Sequence, residues 1–218
     1  MDLTADRPRL LPTLDPYWTT PLTDQRLAGL SGRTGLVTQI YLVRHGEPDY
    51  TPVDSRGWPG MAADTAPLSS DGTKQAEALA DLLSGIGATY LVSSPFTRAL
   101  QSAAIIGHRL ALGVRVDYDL RDWLPDSTGS WRGTADVRAA RAEFDAYGGE
   151  WPEGVPRPWE PLSRVRERAR AVLARHTAST DGPLLVITHA MVIEALTGVP
   201  NTPHGTHEYY RYDPADDA

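Results

Sequence analysis

A chain of 218 residues, 41% hydrophobic and 22% charged, has room for one sizeable core and not for two comfortable domains. It contains no cysteine, which excludes disulfides, thiolate metal ligands and a cysteine nucleophile. Its formal net charge of -7 speaks against a general nucleic-acid surface, so a small anionic ligand must be drawn in by local cations.

Residues 1–37 are proline-containing and lack periodicity, with a turn-like Leu30-Ser31-Gly32-Arg33. They are expected to form an extended arm, with Tyr17 and Trp18 available to pin it down, ahead of a single domain over residues 38–218. No basic region followed by an apolar stretch marks a secretory leader. No apolar run reaches the ~20 residues that span a bilayer. The expectation is a cytoplasmic protein with neither membrane nor nucleic acid as partner.

From Thr38 the pattern alternates strand and helix. Ile40-Tyr41-Leu42-Val43 is a short apolar run of the kind that forms a buried strand, and it ends in Arg44-His45-Gly46-Glu47. Asp71–Leu83 has Ala76, Leu79, Ala80 and Leu83 at helical spacing, behind capping hydroxyls at Ser69 and Ser70. Thr89–Val92 is a second buried strand, leading into Ser93-Ser94-Pro95. A helix follows from Phe96 to Leu112, with Leu100, Ala103, Ala104 and Leu110 as core positions, then a short strand at Val114–Val116. Residues 119–161 are rich in Trp, Gly and Pro and form a cap with one helix near 135–147. Leu162–Ala178 is an amphipathic helix whose Arg164, Arg166, Arg168 and Arg170 are expected on a solvated face. Pro183–Ile187 is another buried strand, ending at Thr188-His189, and Met191–Leu196 begins a helix. Tyr209–Tyr212 is placed at the sheet edge. Repeated βα units imply an α/β fold, a three-layer α/β/α sandwich around a mostly parallel sheet.

Three of those strands end in polar residues of one chemical kind. The first delivers Arg44 and His45, the second leads through Ser94-Pro95 to Arg98, and the third delivers His189. In an open α/β sheet, ligands bind outside the strand carboxyl ends. If the three strands are neighbours, two guanidiniums and two imidazoles converge there. Arg carries a planar fork of donors that matches an oxyanion, and helix N-termini beyond Pro95 and His189 would add backbone donors. That is a phosphate cage needing neither metal nor cofactor.

The sequence resembles the histidine phosphatase superfamily, the phosphoglycerate mutase-like proteins. The resemblance is carried by Leu42-Val43-Arg44-His45-Gly46-Glu47, then Pro67-Leu68-Ser69 with Gly72, Gln75 and Ala76. It continues in Ser94-Pro95 with Arg98-Ala99 and Gln101-Ser102-Ala103, and ends in Thr188-His189. The four blocks occur in family order. The resemblance implies His45 as nucleophile, Arg44 and Arg98 as phosphate clamps, His189 as a further phosphate contact, and a structural Pro-Leu-Ser block. The family's usual Glu proton donor is replaced here by Asp122, one methylene shorter. Asp126 is the rival, because Gly129, Trp131 and Gly133 also resemble the segment after the family acid. Glu47, beside the nucleophile, is a further candidate for the acid, placed after those two, and a candidate substrate contact. The implied activity is metal-independent hydrolysis of a small phosphomonoester through a phosphohistidine. A phosphoglycerate mutase-type transferase and a catalytically weak phosphate-binding protein are the alternatives.

Other features have plainer readings. His108 and His176 lie in helices without evident partners and are expected at the surface or in packing. His204-Gly205-Thr206-His207-Glu208 looks superficially like a metal tract, but it lacks further ligands at suitable spacing. Glu160, eight residues before Arg168, is taken as structural. Trp123, Trp131, Trp151 and Trp159 suit either the packing of a cap or an apolar wall over the leaving group.

Overall fold

The strand that carries the first motif runs from Thr38 to Arg44 (β1), and its Ile40, Leu42 and Val43 are fully buried. In the computed structural model, residues 37–217 are described. The chain divides into two units, Met1–Thr34 and Gly35–Ala218. The arm expected over 1–37, with Tyr17 and Trp18, lies outside the described residues apart from Val37.

After β1 come a four-residue helix, Thr51–Asp54 (α1), and a 3-10 turn at Gly60–Thr65. Next are Ser70–Leu83 (α2), Tyr90–Ser93 (β2), Thr97–Leu110 (α3) and Val114–Val116 (β3). A 3-10 turn at Tyr118–Leu120 opens the cap, which contains Thr134–Ala146 (α4). Leu162–Thr177 (α5), Leu184–Thr188 (β4), Ala190–Thr197 (α6) and His207–Tyr212 (β5) complete the domain. Among the described residues no helix is long and apolar enough to cross a membrane.

The sheet order is β3-β2-β4-β1-β5. β4 pairs in parallel with β1 on one side and β2 on the other, while β5 runs antiparallel along the outer edge of β1. Side chains alternate across the sheet. Val43, Leu91, Leu185 and Ile187 pack on Leu79 and Leu83 of α2 and on Ala99, Ala103 and Ile106 of α3. Ile40, Leu42, Val92, Leu184 and Val186 face the other way, onto Val172 and Leu173 of α5 and Ile193 of α6. Helices on both faces make the three layers expected.

Two local expectations fail. Ala104 is exposed, because the buried stripe of α3 runs through Ala99, Ala103, Ile106 and Gly107, and Ala104 turns beyond it. His176 has partners after all. Its Nδ1 meets Tyr90 Oη at 3.1 Å and its Nε2 meets Asp117 Oδ2 at 3.0 Å, joining α5 to the sheet and to the start of the cap.

Candidate active site

The neighbours β2, β4 and β1 bring their carboxyl ends side by side. Arg44 pairs with Thr188 and Ser93 with Ile187, and the pairing extends one residue through His45 N–H to Thr188 O (3.1 Å) and Ser94 N–H to Ile187 O (2.9 Å). Arg44, His45, Arg98 and His189 therefore meet, and the rings of His45 and His189 stand edge to face with centroids 4.9 Å apart. Gly46 is needed where it sits: a Cβ there would run into the Gly72 carbonyl. Gln75 accepts from Glu47 N–H (2.8 Å), Ser69 caps α2 by accepting from Gly72 N–H (2.9 Å), and Ala76 is buried. The Pro-Leu-Ser block thus holds the back of the motif loop.

Arg98 is the hub, and only 4% of it is exposed. Its Nε–H donates to His45 Nε2 (3.1 Å), and its Nη2 donates to Asp122 Oδ2 (3.1 Å) and lies 3.4 Å from His189 Nδ1. Because a guanidinium can only donate, His45 Nε2 accepts, and the imidazole proton sits on Nδ1, which donates to Gly46 O at 2.7 Å. Burial pushes His45 well below the usual histidine range, reinforced by His189 and Arg98. Burial does the same to His189, helped by Arg98, Arg168 and Arg44. His189 Nε2 pairs with Ser94 Oγ at 2.7 Å. The result is a neutral imidazole with one nitrogen tied to a carbonyl and the other facing a cation. Such a ring can act as a nucleophile toward an anion.

Arg44 points its Nη1 at Thr202 O (2.6 Å) and its Nη2 at His204 Nε2 (2.8 Å), while its Nε is buried without a partner. Burial lowers the Arg44 guanidinium. His204, from the tract that resembled a metal site, is a neighbour of His45 at 5.4 Å between ring centroids. Burial, with Arg44 and Arg98 nearby, pushes it down to about 4, so it is neutral at ordinary pH. Among the described residues no group of three or more His, Cys, Asp or Glu is placed to hold a metal ion.

The two rival acids are placed differently. Asp122 Oδ2 faces Arg98 and lies 3.5 Å from His189 Nδ1, while its Oδ1 accepts from Trp123 N–H (2.9 Å). Asp126 closes a local turn, accepting from Thr128 N–H and Oγ1–H at 2.8 Å each. Glu47 is not drawn into the cluster: it is exposed, and its carboxylate accepts from Ser69 Oγ at 3.4 Å.

Sequence reasoning missed Tyr50, Asp64 and His204, and it misplaced Arg168. Asp64 follows Ala63, whose carbonyl accepts from Arg98 Nη1 at 3.5 Å. Burial pushes the Asp64 carboxyl up to about 7, with Arg98 opposing and Asp122 adding to the shift. Tyr50 is 40% exposed as a residue, yet burial raises its hydroxyl, and Arg98, Asp122 and Arg44 act on it. No periodic pattern marks residues 48–66, so nothing in the sequence announced either group. Arg168 is a correction: it is buried, not solvated. It lies within the apolar stripe of Val165, Ala169, Val172 and Leu173, and that i+3/i+4 spacing was the signal available. Glu160, its partner, is buried too and pairs with it at 2.8 Å. Of the tryptophans, Trp123, Trp151 and Trp159 pack with Phe144 in a cap core. Their indole N–H groups donate to Glu160 O, Trp159 O and Glu143 Oε2 respectively. Trp131 is buried as well, outside that cluster.

A family model described as the histidine phosphatase superfamily (branch 1) matches residues 40–214. The chain is 31% identical over 173 residues to a glucosyl-3-phosphoglycerate phosphatase of Mycobacterium tuberculosis (strain ATCC 25618 / H37Rv), covering 73% of each. It is 28% identical over 184 residues to a probable phosphoglycerate mutase GpmB of Enterobacter sp. (strain 638), covering 74% of this chain and 76% of that one. Among solved structures, the native mycobacterial glucosyl-3-phosphoglycerate phosphatase matches with a TM-score of 0.58 and 28% identity. That match covers 76% of this chain and 82% of the other.

Proposed function

The chain belongs to the histidine phosphatase superfamily and is a phosphomonoesterase of that family, and we propose that it works through a phosphohistidine at His45. The observation that carries this reading is the setting of His45, a buried imidazole with Nδ1–H on Gly46 O and Nε2 against Arg98. The lone pair of Nε2 attacks phosphorus in line with the ester oxygen, the P–O ester bond breaks, and a P–N bond forms. Charge on the three equatorial oxygens is met by Arg44, Arg98 and His189. Asp122 gives a proton to the leaving oxygen. It then takes one from the water that cleaves the P–N bond, releasing phosphate and restoring His45. Asp122 is preferred over Asp126 because its carboxylate converges on Arg98 and His189, whereas that of Asp126 is spent within its own turn.

The proposed substrate is a small phosphorylated acid or sugar derivative, and glucosyl-3-phosphoglycerate is the first compound to try because the relative of that name is 31% identical. Rapid quenching with a phosphorus-labelled substrate tests the mechanism. An acid-labile, base-stable label on His45 is expected, and no label during steady turnover would overturn it. Turnover should persist in excess EDTA, since the cage supplies its positive charge from side chains. Phosphate passing from a bisphosphate to a monophosphate acceptor, rather than to water, would move the assignment to a mutase.

A further inference from the structure

The loop that carries Asp122 has little backbone support of its own. It leaves β3 through a single 3-10 turn, Tyr118–Leu120, and then passes over the strand ends without joining the sheet. Yet four consecutive carbonyls in it are held from below. Arg168 Nη1 donates to Asp119 O (2.5 Å) and Arg121 O (2.8 Å), and its Nη2 donates to Asp122 O (3.2 Å). Thr188 Oγ1, next to His189, donates to Leu120 O (3.0 Å).

The remaining donors of Arg168 go to Glu160: Nε–H to Oε1 at 2.8 Å and Nη2–H to Oε2 at 3.0 Å. All five guanidinium N–H groups therefore have acceptors. Glu160 is itself knitted to the loop, because its N–H donates to Leu124 O (2.9 Å) and its carbonyl accepts from Trp123 Nε1–H (2.6 Å). Arg168 and Glu160 are 9% and 8% exposed, so the arrangement is largely screened from solvent. A buried ion pair is a weak way to gain stability, because desolvation offsets most of the attraction. A planar fork is, however, well suited to fixing several acceptors in one geometry.

We propose that Arg168, clamped by Glu160, is a positioning residue for the reaction: it fixes the backbone of residues 119–122 and so sets the reach of Asp122 over the leaving oxygen. The inference rests on Asp122 as the group that serves that oxygen. It assigns to α5 a part in the chemistry through the loop, with no contact to phosphate. The need is sharpened by the short side chain, because an aspartate has one fewer torsion with which to correct a displaced backbone.

The test uses Arg168→Lys, which keeps the charge but cannot reproduce the fork, with Glu160→Gln as a second variant that loosens the clamp. Both are assayed at a temperature where circular dichroism shows each protein folded, on an alkyl phosphate and on p-nitrophenyl phosphate, with Asp122→Asn alongside. Misplacement of a catalytic group by about 1 Å can cost about 100-fold. Arg168→Lys should therefore lower kcat on the alkyl phosphate by about 10–100-fold, with p-nitrophenyl phosphate changed less than about threefold and KM for both little altered. Glu160→Gln should give the same selectivity at smaller size. Equal losses on both substrates, with the melting temperature lowered, would show a purely structural role and overturn the inference, while a selective loss in Asp122→Asn left the reading of Asp122 standing. If Asp122→Asn itself showed no selectivity, that reading would fall and this inference with it.

Discussion

The floor of the site and its roof are built by different rules. The floor consists of His45, Arg98 and His189, at 3%, 4% and 0% exposed, set on strand ends and a helix start and joined through the Arg98 guanidinium. The roof is made of the segments around Tyr50, Asp64 and Asp122, which are a four-residue helix, 3-10 turns and irregular backbone, and the Asp122 side chain is 32% exposed. The phosphoryl group is the same in every monoester, so a rigid, preorganised cage suits it. The leaving group differs between substrates, and in the proposed reaction it meets the roof. In the proposed reaction the Asp122 carboxylate belongs to the roof, and its backbone is held there by Arg168 and Thr188 rather than by the sheet.

Removing the proposed nucleophile gives the largest expected effect. His45→Ala should fold normally and lose roughly 10⁴–10⁶-fold in kcat on every phosphomonoester, measured by phosphate release. Wild-type turnover in that variant would remove the floor from the chemistry altogether. Asp122→Asn sharpens the comparison from the other side. It should slow alkyl phosphates by about 10²–10⁴-fold and activated aryl phosphates much less, while Asp126→Asn stays near wild type. A selective loss in Asp126→Asn instead would move the proton to the turn. Arg98→Ala should cost about 10²–10³-fold on both substrate types, with weaker inhibition by vanadate, because the cage is indifferent to the leaving group. If its loss followed leaving-group pKa, floor and roof would be one unit.

Smaller effects probe the two regions through stability. The Asp64 carboxyl holds its proton up to about pH 7 in the folded protein, against an ordinary value of 3.8. Between those values the folded chain binds more protons than the unfolded chain, so this group contributes less stability as pH rises through that window. Asp64→Asn should remove that slope, so its melting temperature relative to wild type should rise between pH 5 and pH 8. An unchanged difference would mean that Asp64 ionises as an ordinary surface carboxylate. Ser69→Ala removes the cap of α2 and should cost about 1 kcal/mol, a fall of about 2–4 °C in melting temperature, with kcat unchanged. A large loss of activity there would give the Pro-Leu-Ser block a chemical part.

What the sequence determined by itself is what period and local chemistry decide. The apolar runs at 40–43, 89–92 and 183–187 are strands, Ser69 caps the helix beginning at Ser70, and the polar residues that follow the runs are the ones that meet. Their convergence needed one more condition, that β2, β4 and β1 be adjacent, and repeated right-handed βα units make such neighbours common. The tertiary structure decided what depends on loops crossing from elsewhere. His204 reaches Arg44 across 160 residues of sequence, and Asp64 meets the field of Arg98 because Ala63 docks on that guanidinium. Arg168 is the instructive case, since its place in the apolar stripe was visible while its charge argued for solvent. A buried guanidinium is tolerable only where acceptors surround it, and here they come from Glu160 and three carbonyls 46–49 residues away. Glu160 lies eight residues upstream and was in view, but the three carbonyls are brought to Arg168 only by the folding of the chain.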